Sequence, residues 1–140
     1  MNPPMPSETG CGVLLVTHAK LGHRLIETMR DMLPSLSLSV DVLEVRRVQD
    51  TDVLLRQGRR MIERLDRGAG VLLLTDAHGS TPANIACRLG RTPGTVVVAG
   101  VNLPMLVKVF NYPGLALPAL AEAAVDGGRR GVSICEPAPE

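Results

Sequence analysis

Three short runs of this chain, VLLV from Val13, VLLL from Val71 and VVVA from Val96, are apolar at every position and rich in branched side chains. A strand with one wet face alternates apolar and polar residues. A run without alternation has to be covered on both faces, the pattern of strands in a parallel sheet flanked by helices. These runs are therefore expected at the centre of a parallel sheet. The segment from Leu38 to Val45 instead alternates at first, with Leu38, Val40 and Val42 on one face and Ser39 and Asp41 on the other, which places it at the sheet edge.

Between the strands, Leu21, Leu25, Met29, Met32 and Leu33 recur at helical spacing, as do Leu54, Gly58, Met61, Ile62 and Leu65. Pro34 ends the first helix, Asp50 or Thr51 caps the second, and Gly68 with Gly70 closes it. Pro82, Pro104 and Pro118 mark the first positions of three more helices, Gly127 and Gly128 end the last, and a short strand from Val132 to Cys135 finishes the chain. The fold class is α/β: a doubly wound, mainly parallel sheet in the order 2-1-3-4 with helices on both faces. Residues 1–10, MNPPMPSETG with three prolines, read as a flexible tail, residues 11–136 as one domain and residues 137–140 as a second tail.

Lys and Arg exceed Asp and Glu by one over 140 residues, so the chain has no net field for a nucleic-acid backbone or an anionic membrane, and with one Phe, one Tyr and no Trp it has no stacking platform. Nucleic-acid binding is not expected. Cys11, Cys87 and Cys135 are odd in number and widely spaced, which fits reduced thiols better than a disulfide framework or a zinc site. The N-terminus lacks a signal-peptide pattern and no apolar stretch has the length of a membrane span, so the protein is expected in the cytoplasm without membrane insertion.

In the order 2-1-3-4 the topological switch lies between strands one and three, and such sheets bind ligands at the carboxyl ends of the strands beside the switch. The first strand delivers His18 there. The third delivers Asp76, followed by His78, Gly79, Ser80, Thr81 and Pro82. A neutral imidazole is a competent nucleophile toward phosphorus when one nitrogen is free and the other donates to a fixed acceptor, the part open to Asp76. Ser80 and Thr81, at a helix start, supply donors for the phosphoryl oxygens. Singly, each residue has a plainer role: Thr81 as an N-cap, Asp76 as a loop cap, His18 as a surface histidine. Their coincidence at one crevice favours a site. His23 belongs to a helix surface, and His78 either shapes the site or merely occupies the loop. His18, Asp76 and His78 lack a short-spaced metal motif, and THAKLGH lacks a glycine-rich phosphate cradle, so neither metal nor nucleotide cofactor is expected.

The set VTHAKLGH, LLLTDAHGSTPANIA and VVVAGVNLPML, in this order over nearly the whole chain, resembles the IIA domain of the mannose family of the bacterial phosphoenolpyruvate-dependent sugar phosphotransferase system. The resemblance implies a phosphotransferase component in which His18 is phosphorylated through Nε2, Asp76 orients the ring and Thr81 contacts the phosphoryl group, with no cofactor. It implies phospho-HPr as donor and a IIB domain as acceptor, in sugar uptake. The sequence ends without a IIB segment, so the acceptor is expected on a separate chain. A stand-alone regulatory role and a donor subunit for dihydroxyacetone kinase are the alternatives. Similar proteins form homodimers, often exchanging the terminal strand, and GRRGVSIC from Gly128 fits that use. Ser80 stands where a second glycine is common and Ala83 where a bulky residue can follow the proline. The apolar loop Leu103, Pro104, Met105 is expected to meet the partner proteins.

Overall fold

In a computed structural model describing residues 10–140, strand β1 (Gly12–His18) lies between β2 (Val40–Val45) and β3 (Val71–Thr75), and β4 (Thr95–Ala99) pairs with β3. All pairs are parallel and the order is 2-1-3-4. The N-terminal tail expected over residues 1–10 lies, apart from Gly10, outside the described residues.

Helices α1 (Leu21–Met32), α4 (Leu103–Asn111) and α5 (Leu117–Arg130) cover one sheet face, and α2 (Thr51–Leu65) and α3 (Thr81–Leu89) cover the other. Val13, Leu15, Leu72 and Leu74 point into the first layer; Leu14, Val16, Val71 and Leu73 point into the second. All eight are fully buried, and burying each such side chain stabilises the fold by about 1.5–3 kcal/mol. No described helix is long and apolar enough to cross a membrane.

Four expectations about the elements are corrected. The VVVA run is an edge strand, with Val96 and Val97 half-buried, because no strand among the described residues pairs beyond it. In α1 the buried stripe is Gly22, Ile26 and Met29, while Leu21 and Met32 are exposed, because Gly22 sits against Thr17 and Val42, where a Cβ would come within 2.6 Å and 2.7 Å. Pro82, Pro104 and Pro118 occupy second rather than first helical positions, after the caps Ser80, Asn102 and Ala116.

The fourth correction concerns the C-terminus. Helix α5 continues through Gly127 and Gly128 to Arg130, and Gly131 caps it. Both internal glycines serve close packing: a Cβ on Gly127 would lie 2.6 Å from Lys108 Cβ, and one on Gly128 3.0 Å from Met105 Cε, so α4 and α5 approach nearly backbone to backbone. Residues 132–140 carry no secondary structure, and the expected strand from Val132 to Cys135 pairs with no strand among the described residues.

Gly127→Val would push α5 off α4 and lower stability by about 1–3 kcal/mol, the usual cost of overpacking. Urea denaturation followed by circular dichroism measures this as a lower midpoint at unchanged slope.

Candidate functional site

The loops after β1 and β3 diverge, because α1 returns over one face of the sheet and α3 over the other. His18 ends β1 in register with Val45 of β2. Ala19 follows it with φ of 42°, a left-handed conformation that costs a residue with a Cβ about 1–2 kcal/mol. Its N–H is tied to the Val45 carbonyl at 3.0 Å, which turns the chain sharply out of the strand. Thr17 fixes the far side of this turn: its fully buried hydroxyl accepts the Gly22 N–H at 2.8 Å and anchors the first turn of α1.

Asp76 follows β3 and is buried, while the His18 side chain is 56% exposed. The carboxylate is held on both oxygens. Oδ2 accepts the His18 backbone N–H at 2.8 Å and meets His18 Nδ1 at 2.7 Å; Oδ1 accepts the Ala77 N–H at 2.8 Å and the Ser80 hydroxyl at 3.3 Å. The backbone of Asp76 is fixed as well, since its carbonyl accepts the Gly100 N–H at 2.6 Å, while Val101 N–H reaches the Thr75 carbonyl. Asn102 continues this bracing, taking the Met105 N–H on Oδ1 and donating from Nδ2 to the Gly128 carbonyl.

Burial pushes the Asp76 carboxyl upward, but the His18 N–H, the His18 ring and the Ala77 N–H together outweigh it and hold the group below its ordinary value. It is therefore ionised at neutral pH. In the neutral ring, an acceptor-only carboxylate facing Nδ1 places the proton on that nitrogen and leaves the Nε2 lone pair free. Nε2 has no hydrogen-bond partner among the described residues. The arrangement is an exposed, oriented nucleophilic nitrogen backed by a fixed negative charge.

The remaining candidates are placed as follows. Ser80, rather than Thr81, is the N-cap of α3: its oxygen accepts the Ala83 N–H while its proton goes to Asp76. Thr81 is the first helical residue and is exposed. His78 is exposed in the loop. Leu103 and Pro104 are half-buried, whereas Met105 is buried against α5. His23 lies away from Asp76, 3.7 Å from Glu44, whose carboxylate also binds Lys20 and Arg46. Those last two contacts hold the Glu44 carboxyl below its usual value. Sequence reasoning missed Ala19 and Gly100; the first carries no sequence signal, and the second showed only as a glycine after a strand.

A family profile described as "EIIA-man: PTS system fructose IIA component" matches residues 12–125. The "PTS system mannose-specific EIIAB component" of Escherichia coli K12 is 28% identical over 130 residues, 91% of this chain and 40% of that protein. The chain thus spans about 40% of the length of the curated relatives it matches. Among solved structures, the PTS IIA protein associated with the fucose utilization operon from Streptococcus pneumoniae superposes with a TM-score of 0.76 at 21% identity, covering 93% of this chain and 96% of that one. The mannose/sorbose specific IIA subunit from Enterococcus faecalis gives 0.72 at 22% identity, with 94% and 98% covered. At these identities the structures speak for the fold alone.

Because the folded pKa of Asp76 lies below that of an unfolded aspartate, about 3.9, the unfolded chain binds more protons in acid. Stability from this carboxylate is full above the unfolded value and is lost as pH falls through the folded one. Denaturation of wild type and Asp76→Asn across that acid range should show the wild-type advantage at neutral pH shrinking toward low pH; a constant difference would contradict it.

Proposed function

The chain belongs to the EIIA-man family of phosphotransferase-system IIA components, and from that membership we propose that it is a phosphocarrier, taking a phosphoryl group from phospho-HPr on His18 and passing it to a IIB domain. The observation that carries the proposal is the 2.7 Å contact of His18 Nδ1 with Asp76, which turns the free Nε2 outward on an exposed ring. A group transferred between two proteins has to be reached from outside, and the exposure of His18 suits that.

In the transfer, the Nε2 lone pair forms the new P–N bond while the bond to the donor's histidine breaks and its electron pair returns to the donor ring. The His18 ring gains positive charge as the bond forms, and Asp76, already ionised and anchored by backbone N–H groups, stabilises it. Passing the phosphoryl group to IIB reverses these changes. Most of the catalysis is positioning, since little covalent work is left to the protein. The Thr81 hydroxyl and the N-terminus of α3 are the groups proposed to meet the phosphoryl oxygens. Ser80 spends its proton on Asp76 and so acts through that carboxylate. Leu103 and Pro104 remain the proposed apolar contacts for HPr, because Met105 is committed to the core.

Incubation with phosphoenolpyruvate, enzyme I and HPr should add one acid-labile, base-stable phosphoryl group, absent from His18→Ala. Asp76→Asn should slow transfer at least about tenfold, equivalent to about 1.4 kcal/mol of barrier, and Ser80→Ala by less. Absence of phosphate on folded wild type, beside a competent control IIA domain, would sink the proposal.

A homodimer with exchanged C-termini is proposed alongside. Val132 and Ile134 alternate with Ser133 and Cys135 and are exposed, Ile134 at 96%. The open edge of β4 borders a groove whose lining combines Val96, Val98 and Val125 with Glu122, Asp126 and Arg129. Light scattering should give twice the mass of the 14.9 kDa chain; a monomer at micromolar concentration would contradict the exchange.

A further inference from the structure

The net charge of +1 hides an uneven distribution. The layer formed by α2 and α3, from Asp50 to Gly70 and from Ser80 to Gly94, holds five arginines between Arg56 and Arg67, with Arg88 and Arg91 beyond them. Against these seven cations stand four carboxylates, Asp50, Asp52, Glu63 and Asp66, while the rest of the chain holds eight cations and ten carboxylates. Two of the four are turned to backbone: Asp50 accepts the Asp52 N–H, and Asp66 accepts from Gly68 and Gly70. All seven arginines are exposed, and none forms an ion pair with a described residue; of the eight cations elsewhere, Lys20, Arg24, Arg46 and Arg130 are paired and four are not. Because α2 and α3 pack on the same face of the sheet, the unpaired guanidiniums share one side of the molecule. Arg56, Arg60 and Arg64 form a row with steps of about 6 Å along the helix axis.

The composition of this side selects among anionic partners. Protein interfaces have an apolar, aromatic-rich centre with charge kept to the rim. Here Val53 is the one exposed large hydrophobic residue among those described on the two helices, and Tyr112 and Phe110 lie in the other layer. Single-stranded nucleic acid needs aromatic faces for its bases, which this layer lacks. A broad row of guanidiniums without an apolar centre matches a plane of phosphate headgroups, to which each nearby arginine is attracted without a specific pocket.

We propose that the outer side of α2 and α3 is an electrostatic docking face for an anionic lipid bilayer. Binding there is peripheral and reversible by salt. It leaves His18, at the strand-end edge of the sheet, accessible to a protein partner.

The test is co-sedimentation of the full chain with vesicles of phosphatidylglycerol and phosphatidylcholine, against pure phosphatidylcholine, at about 50 mM and about 500 mM salt. Binding is expected only to the anionic vesicles at low salt. Arg60→Glu with Arg64→Glu should lower partitioning by about tenfold or more, and the milder pair Arg60→Gln with Arg64→Gln by less. Arg24→Glu with Arg30→Glu on α1 makes the same change of net charge on the other layer and should cost far less. Equal losses from the two Glu pairs, no binding of the parent, or stronger competition by duplex DNA than by anionic vesicles would each overturn the assignment. His18→Ala should bind vesicles like the parent, so this outcome is independent of phosphotransfer.

Discussion

Strands β1 and β3 have no polar face, and covering both of their sides is the constraint on which the architecture rests. Leu14, Leu15, Leu73 and Leu74 lose all contact with water only if helices lie above and below the sheet. A parallel sheet with helices on both faces then needs crossovers, and those crossovers leave the carboxyl ends of β1 and β3 adjacent at the point where the loops part. His18 and Asp76 come together there although 58 residues separate them. The hydrophobic effect thus positions two polar residues that local sequence does not connect.

Rigidity at this point comes from backbone rather than from a pocket wall. Asp76 is held through its side chain by two N–H groups and through its own carbonyl by Gly100, and His18 is the terminal residue of a paired strand. Ala19 carries the cost of the turn between them and α1. An exposed ring on such a mount can meet a second protein without losing its orientation, the combination a relay of phosphoryl groups calls for. The same loop system extends outward through Asn102 to Gly128, so the close contact of α4 and α5 and the geometry behind Asp76 form one continuous support.

Much of this was legible in the residues. The strand order followed from the contrast between unbroken and alternating apolar runs, and His18 with Asp76 followed from their places at two strand ends. Gly127 and Gly128 misled because a helix stop and a close helix crossing both call for glycine, and only the neighbour, Lys108 or Met105, tells them apart. Met105 read as part of a partner-facing loop because nothing in its sequence position says that it packs against Gly128 of α5. Ser80 looked like a ligand for a phosphoryl group because nothing in its sequence position says which acceptor its proton will find.

The amino-acid sequence by itself determined the fold class, the strand order and the pair of titratable residues at the switch, since burial of apolar strands and the direction of crossovers are enough to fix them. Tertiary structure alone decided which nitrogen of His18 is held, where Ser80 donates and which arginines share a side. These are distances between residues far apart in the chain, set by how helices pack on the sheet. Net charge illustrates the division: the sum of +1 is a property of the chain, whereas the gathering of seven exposed arginines on the α2 and α3 layer exists only once both helices lie on one face.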